Sequence, residues 1–372
     1  MLMPFELAEV IKNPRALIKP RRPEPSYPQL PAVTAELESS IPGVYLVGEV
    51  AGTPLIKLGV NQGYDLVEQL SGNLKANPAP EGAYDLVVIG AGASGFSAMM
   101  QAAELGLRAV CLEAGRFAST VQNMTKGKIL FAEPEAVALR GSVWFEECTR
   151  EELLTQWARQ RQQSRLDIRE FEKVENIERR DGLITITSSK GSYQARRVIL
   201  AIGKAGNPRK AGVPGEDTHA ARIDHFLADP DAFQGRSILV YGGGDVACEA
   251  ALRLCGHNTV IMATIDKELI YPKKRNREAV QAEVAAGRIE LHMETKLAGV
   301  GADSVSLEGP GGVISRPADH VFEMIGAELP LKFFRQIGIR LSNDWGRGRQ
   351  VALAVCMLLV YGLYAVKSSS LV

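Results

Sequence analysis

The chain has no surplus of charge, no closely spaced cysteine pair and no apolar leader. Lysine plus arginine and aspartate plus glutamate both number 43 in 372 residues, so the formal net charge is zero. Without a global basic field there is nothing to hold a nucleic-acid backbone, and that partner class is excluded. The five cysteines (Cys111, Cys148, Cys248, Cys255 and Cys356) are odd in number and scattered, with no CxxC. That spacing argues against metal sites and a local dithiol, and for reduced thiols in a cytosolic setting. The N-terminal MLMPFELAEVIKNPRALIKPRRPEP has no long apolar core before a small-residue cleavage site, and does not read as a signal peptide. What is present is 46% hydrophobic and 23% charged residues, a globular composition whose length suits two domains.

Residues 13–32 are proline-rich and read as extended and loosely packed. VYLVGEV (44–50) is a β-branched apolar run stopped by Gly52, Thr53 and Pro54, which predicts a buried strand. Helical spacing follows over 60–70. SGNLKANPAPEGA (71–83) has little to bury and reads as a linker. From Tyr84 the chain alternates: strand YDLVVIG, helix ASGFSAMMQAAELG, strand RAVCLEAG. A polar middle leads to strands LITITSS (183–189) and RRVILAIG (196–203). RSILVYGGG (236–244), helix DVACEAALRLCG and strand NTVIMAT then repeat the alternation, and 319–341 closes the globular part. Two βαβ units in one chain predict an α/β protein with two Rossmann-like, parallel-sheet nucleotide domains.

The first glycine motif is Gly90-Ala91-Gly92-Ala93-Ser94-Gly95, after an apolar strand and opening a helix. A phosphate approaches backbone closely only where side chains are absent, and a helix N-terminus offers it free N–H groups and a positive dipole end. Glu113, with Ala114 after it, ends the next strand, where a carboxylate can accept from both ribose hydroxyls. A lone GxGxxG is weak; strand, helix, second strand and acid together are strong. The second motif is Gly242-Gly243-Gly244-Asp245-Val246, again between strand and helix. Its second strand ends in MATID, with no acid at the ribose position unless Asp266 reaches it. Downstream, Lys273, Lys274 and Arg275 offer cations for a 2′-phosphate, which tilts the expectation toward NADPH over NADH; a solvated basic loop is the alternative.

GAGASG with Glu113, the returning strand ending at Gly203, GGGDVA and then VFEMIG together resemble the two-dinucleotide-fold flavoprotein disulfide reductase superfamily, specifically its thioredoxin-reductase-like branch. In that family PGVYxxGD lies near the C-terminus, its Asp contacts the FAD ribityl chain, and the following helix points at the flavin pyrimidine. Here PGVYLVGE lies at 42–49, ahead of everything else. The resemblance implies that Gly48 and Glu49 take those positions, with Glu for Asp, and that Gln62 lies where the helix begins. The order implies a circular permutation, tolerated where termini meet at a surface; a remnant of a preceding partner domain is the alternative. The implied FAD set is Gly90, Gly92, Ala93, Ser94, Gly95, Glu113, Ala114, Gly203, Gly48, Glu49 and Gln62. The implied NAD(P)H set is Gly242, Gly244, Asp245 and Val246, with Lys273, Lys274 and Arg275.

The departures carry information too. Cys248 and Cys255 share a helix face with roughly 10 Å of rise between them, beyond disulfide reach, so they read as core residues. The FxGxxxH of flavin monooxygenases is missing from 206–241, and His219 and His225 read as ordinary surface or hinge residues. Lys126 and Lys128 face the flavin or are simply solvated. No catalytic acid or base can be named, since nicotinamide–flavin chemistry depends on alignment. The expected domains are a permuted FAD segment (1–72), a linker (73–83), an FAD domain (84–210), an NAD(P) domain (211–325) and a return to the FAD domain (326–345). VALAVCMLLVYGLYAV (351–366) predicts a C-terminal hydrophobic helix within 349–368, spanning a membrane or buried. The expected function is an FAD-dependent NAD(P)H oxidoreductase passing electrons to an unidentified acceptor: a redox protein, a quinone or a partner subunit. A monooxygenase-like enzyme and a non-catalytic flavoprotein are the alternatives. A cytoplasmic globular part, membrane association through 351–366 and a homodimer complete the expectations.

Overall fold

The structure, a computed structural model, describes residues 30–342, 344 and 347–369. The extended reading of 13–29 lies outside them. The chain opens on strand β1 (Val44–Leu46), passes a 3-10 turn at Gly48–Ala51 and enters helix α1 (Ile56–Ala76). Strand β2 (Tyr84–Ile89), helix α2 (Ala93–Glu104) and strand β3 (Ala109–Leu112) form the first βαβ unit. A short helix α3 (Ser119–Gln122), the ribbon of β4 (Ile129–Leu130) and β5 (Cys148–Thr149), and helix α4 (Arg150–Gln163) follow. Strands β6 (Ile168–Arg169), β7 (Val174–Arg180), β8 (Leu183–Ser188) and β9 (Gly191–Leu200) complete the first sheet.

That sheet runs β6-β3-β2-β9-β8-β7, with β1 added on β9. The C-terminal half of β9 pairs in parallel with β2 on one side and with β1 on the other: Val44, Tyr45 and Leu46 oppose Val198, Ile199 and Leu200. All three β1 residues are buried, as a strand covered on both faces requires. Alternation along β2 assigns the two faces. Leu86 and Val88 point to a core shared with Val60, Leu66, Val67 and Leu74 of α1 and Phe96 and Met99 of α2. Val87 and Ile89 point to the opposite core with Val44, Leu46, Ile184, Phe334 and Ile337. Helix α7 (Leu331–Ile337) therefore packs back on the first sheet, and Pro31 bridges Leu341.

The second unit is a five-stranded parallel sheet of β10 (Ile223–Asp224), β17 (His320–Glu323), β11 (Ser237–Tyr241), β12 (Thr259–Ala263) and β13 (Ile289–His292), in that order. Helices α5 (Asp245–Leu254) and α6 (Lys274–Ala285) belong to it. An antiparallel sheet of β14 (Lys296–Val300), β15 (Ser304–Gly309) and β16 (Gly312–Pro317) lies beside it. Helix α8 (Arg347–Ser369) ends the chain.

Two expectations are corrected. The segment 71–76 is not linker: Leu74 is buried, and it carries α1 on to Ala76. The expected C-terminal helix forms as α8, but its residues 351–362 are exposed on every side. Among the described residues no helix is long and apolar enough to cross a membrane, which leaves the membrane expectation without support.

Candidate functional site

A cavity of about 580 Å³ opens where β2, β3 and β9 end. Gly90, Gly92, Ala93, Ser94, Glu113, Ala114 and Gly203 line it, joined from the N-terminal segment by Glu49, Thr53 and Gly59. Gly90 has φ +101, and a Cβ there would strike the Ala201 backbone. Gly92 caps α2, and a Cβ on it would meet no protein atom within 4 Å, leaving open space over the helix N-terminus. Gly95 does not line the cavity; a side chain there would collide with the Gly90 carbonyl. Glu113 is buried, and its two carboxylate oxygens accept from the N–H groups of Ala91 and Gly115, each at 2.7 Å. The acid thus ties the glycine loop to the end of β3. A larger, shallower hollow of about 760 Å³ lies outside, along Glu175–Arg179 and Gln336–Gly338, with no glycine loop beside it.

The residues expected from 42–63 divide by role. Glu49 lines the cavity, accepts from the Lys204 N–H at 3.3 Å and stands 3.8 Å from the Lys204 ammonium. Gly48, at φ +76, packs so tightly that a Cβ would lie 2.5 Å from the Ser94 hydroxyl. Gln62 does not face the cavity; its amide oxygen accepts the Gly48 N–H at 2.6 Å and holds that turn. The sequence reading missed Asn207, Lys332, Phe333 and Gln336, which close the far wall. No glycine motif marks them, because they arrive from the loop after β9 and from α7.

The second loop repeats the first. Gly242 (φ +146) lies against the Met324 carbonyl, and Gly244 caps α5. Asp245 accepts from the Lys273 N–H at 3.0 Å and the Asn276 side-chain amide at 2.7 Å, and Val246 is exposed. Lys273, Lys274 and Arg275 are exposed at the start of α6, where Lys274 stands 3.8 Å from Glu278. Asp266 accepts a hydrogen bond from the Thr264 hydroxyl at 2.8 Å and turns its carboxylate to Gly243.

Cys111, Cys148, Cys248 and Cys255 are buried thiols without disulfides. Burial pushes Cys248 up to about 11, and burial, followed by the charge of Glu113, raises Cys111 well above the usual thiol range. Neither is a ready thiolate at neutral pH. Lys126 and Lys128 do not line the cavity. They reach across to the nucleotide unit: Lys126 to Asp231 at 2.9 Å and Asp229 at 3.9 Å, Lys128 to Glu249 at 2.8 Å. His225 places Nδ1 3.2 Å from the Glu323 carbonyl.

A mixed sheet with a parallel β1/β9/β2/β3/β6 part and an all-parallel second sheet, each with a glycine loop that caps a helix, define a dinucleotide-dependent oxidoreductase of the two-Rossmann type. Residues 87–351 match the model of the pyridine nucleotide-disulphide oxidoreductases, and the chain belongs to that family. Its members use FAD and NAD(P)H, and the open space at Gly92 and the paired Glu113 fit such ligands. A ferredoxin–NADP reductase of Ignicoccus hospitalis is 25% identical over 72% of this chain and 83% of its own length. One from Lactococcus lactis is 31% identical, over 46% of this chain and 51% of its own. In three dimensions, bacillithiol disulfide reductase Bdr from Staphylococcus aureus superposes with a TM-score of 0.62 at 21% identity, covering 70% of this chain and 82% of its own. The thioredoxin reductase of T. acidophilum gives 0.57 at 20%, covering 71% and 83%. These structural likenesses speak for the fold.

Proposed function

We propose that this protein is an FAD-dependent NAD(P)H oxidoreductase that works without a protein dithiol. The observation that carries the reading is the single cavity built by Gly92, Glu113 and Glu49, from two distant parts of the chain. When bound, FAD supplies the redox chemistry that no side chain here has. Gly90 and Gly92 admit the pyrophosphate, the N-terminus of α2 balances its charge, and Glu113 holds the loop and reaches the ribose. Glu49, with a side chain longer than Asp and tied to Lys204, borders the ribityl part of the site. Gly242, Gly244 and the N-terminus of α5 hold the nicotinamide nucleotide. Cys111, Cys148, Cys248 and Cys255 are buried, Cys356 is exposed, and none is paired, which favours an acceptor that is a redox protein, a quinone or a partner subunit over a disulfide relay.

The order of the chain belongs to the same reading. The pairing of β1 with β9, and of 30–32 with 340–342, supports a circular permutation in which 30–76 returns to the FAD domain from the front. The test is the visible spectrum of the purified protein, before and after anaerobic addition of NADH or NADPH. Oxidised-flavin bands that bleach with nucleotide are expected; a colourless folded protein that takes up no FAD refutes the proposal.

A further inference from the structure

The two βαβ units can be laid on each other by their strand registers. In the first, Ile89 opposes Leu112, so Gly90 and Ala91 follow one strand and Glu113 the other. In the second, Tyr241 opposes Ala263, so Gly242 and Gly243 follow one strand and Thr264 the other. Ala91 thus corresponds to Gly243, and Glu113 to Thr264. Glu113 sends its carboxylate to the Ala91 N–H at 2.7 Å. Thr264 is too short to do the same, but its hydroxyl donates to Asp266 at 2.8 Å. The Asp266 carboxylate lies against Gly243, so close that a Cβ there would collide with it and with the Thr264 hydroxyl. An acid two residues further along therefore stands beside the loop residue that corresponds to Ala91, and the absent side chain of Gly243 makes room for it.

From this correspondence we infer that Asp266 is the specificity residue of the nucleotide site and selects a free adenosine 2′-hydroxyl, hence NADH, over a 2′-phosphate. The inference rests on the proposed function and deepens it. A carboxylate accepts from a ribose diol and repels a phosphate dianion. The surrounding cations do not reverse this. Lys267 is exposed and stands 3.7 Å from Glu294, whose N–H donates to the Asp266 carbonyl. Lys273 is held by its backbone to Asp245, at the start of α5 rather than at the end of β12. Thr264 and Ile265 carry no charge. The NADPH expected from the basic run is therefore set aside for NADH.

The test is calorimetric binding of ADP-ribose and of 2′-phospho-ADP-ribose to the flavin-loaded protein, beside rates of flavin reduction by NADH and NADPH. ADP-ribose is expected to bind at least about tenfold tighter, the scale of one well-placed hydrogen-bonded charge. In Asp266→Asn, ADP-ribose binding should weaken and 2′-phospho-ADP-ribose binding should strengthen. A merely structural role for Asp266 would weaken both alike, and that result overturns the inference. So does tighter binding of the 2′-phosphate form by the unaltered protein; in either case flavin reduction by nucleotide leaves the proposed function standing. Binding of neither ligand, with no flavin reduction, defeats both.

Discussion

Gly63 of α1 lies directly on the backbone of Ser94 at the start of α2, where a Cβ would collide with the Ser94 carbonyl oxygen. Gly59, one turn earlier, meets the Ser94 hydroxyl in the same way. The helix that precedes the first glycine motif in sequence is therefore seated on it in space. Gly63→Val is expected to push the two helices apart at an overpacking cost of about 1–3 kcal/mol. The flavin content of the purified variant should fall together with its thermal midpoint. Full flavin retention with an unchanged melting temperature would show that the contact does not shape the site.

Gly92 makes the opposite test. Its Cβ would enter open space, and its φ of −77 suits any residue. Gly92→Asp should therefore fold as the unaltered chain does while placing a carboxylate where the pyrophosphate must lie. FAD affinity is expected to drop by at least about a hundredfold, since the site loses its close approach and gains charge repulsion. Circular dichroism reads the fold and fluorescence titration reads FAD; normal uptake would move the pyrophosphate elsewhere.

How far the sequence discloses this site depends on how local each signal is. Both glycine loops and Glu113 are legible because strand, turn, helix and acid fall within one βαβ unit. The buried run around VYLVGEV is legible as a strand, but its neighbour is not: β9 lies far along the chain. Strand β7 escapes notice because VENIERR carries charges along an outer edge, and only Val174 and Ile177 are buried. The end of α1 is hidden by Gly72 and Asn73, poor helix formers overridden by the burial of Leu74. Asp266 is hard to place from the sequence because it sits two residues past the end-of-strand position and reaches back through Thr264. The partner of Gln62, the Gly48 N–H, is equally hidden in the sequence, since it is made available only by a turn with positive φ.

Glu323, at the end of β17, is fully buried, and neither carboxylate oxygen has a hydrogen-bond partner. Burial, and then the neighbouring Glu216, push its carboxyl up to about 7. Glu216 itself accepts from the Gly212 and Val213 N–H groups, and His225 Nδ1 stands 3.9 Å from the Glu323 carboxylate. Between the unfolded value near 4.3 and the folded value, the native state keeps a proton that the unfolded chain has released. Stability from this group is thus full below about pH 4 and is lost as pH rises through 7, by about 3–4 kcal/mol. Glu323→Gln, which carries no charge, should melt close to the unaltered protein at pH 5 and above it at pH 8. Parallel pH profiles for the two proteins would remove Glu323 from the account.

Cys248 and Cys255 sit inside the core of the nucleotide unit with Val240, Met262 and Phe322. Their replacement by Ala should cost stability but not turnover. Loss of about 1–2 kcal/mol for each is expected from the missing buried sulfur. Flavin reduction and diaphorase activity at a permissive temperature should persist. A well-folded Cys248→Ala or Cys255→Ala protein without turnover would restore a thiol to the mechanism.

The loop carrying Lys126 and Lys128 joins the two units, and its two ion pairs differ in exposure. Lys126 and Asp231 are more than half exposed, while Lys128 and Glu249 are about one-third exposed. Exposed pairs contribute about 0–1 kcal/mol and weaken with salt, so Lys128–Glu249 is the stronger clasp on α5, the helix that the second glycine loop caps. Reversing one charge, as in Lys128→Glu, places two carboxylates together and should shift the unit carrying the nucleotide away from the flavin cavity. The rate of flavin reduction is then expected to fall and its salt dependence to flatten, with flavin content unchanged. The double variant Lys128→Glu with Glu249→Lys restores the pair with its sign inverted and should recover most of the rate. Rescue separates a clasp from a side chain that merely fills space; if the double variant is as slow as the single one, the pair does not set the orientation of the two units.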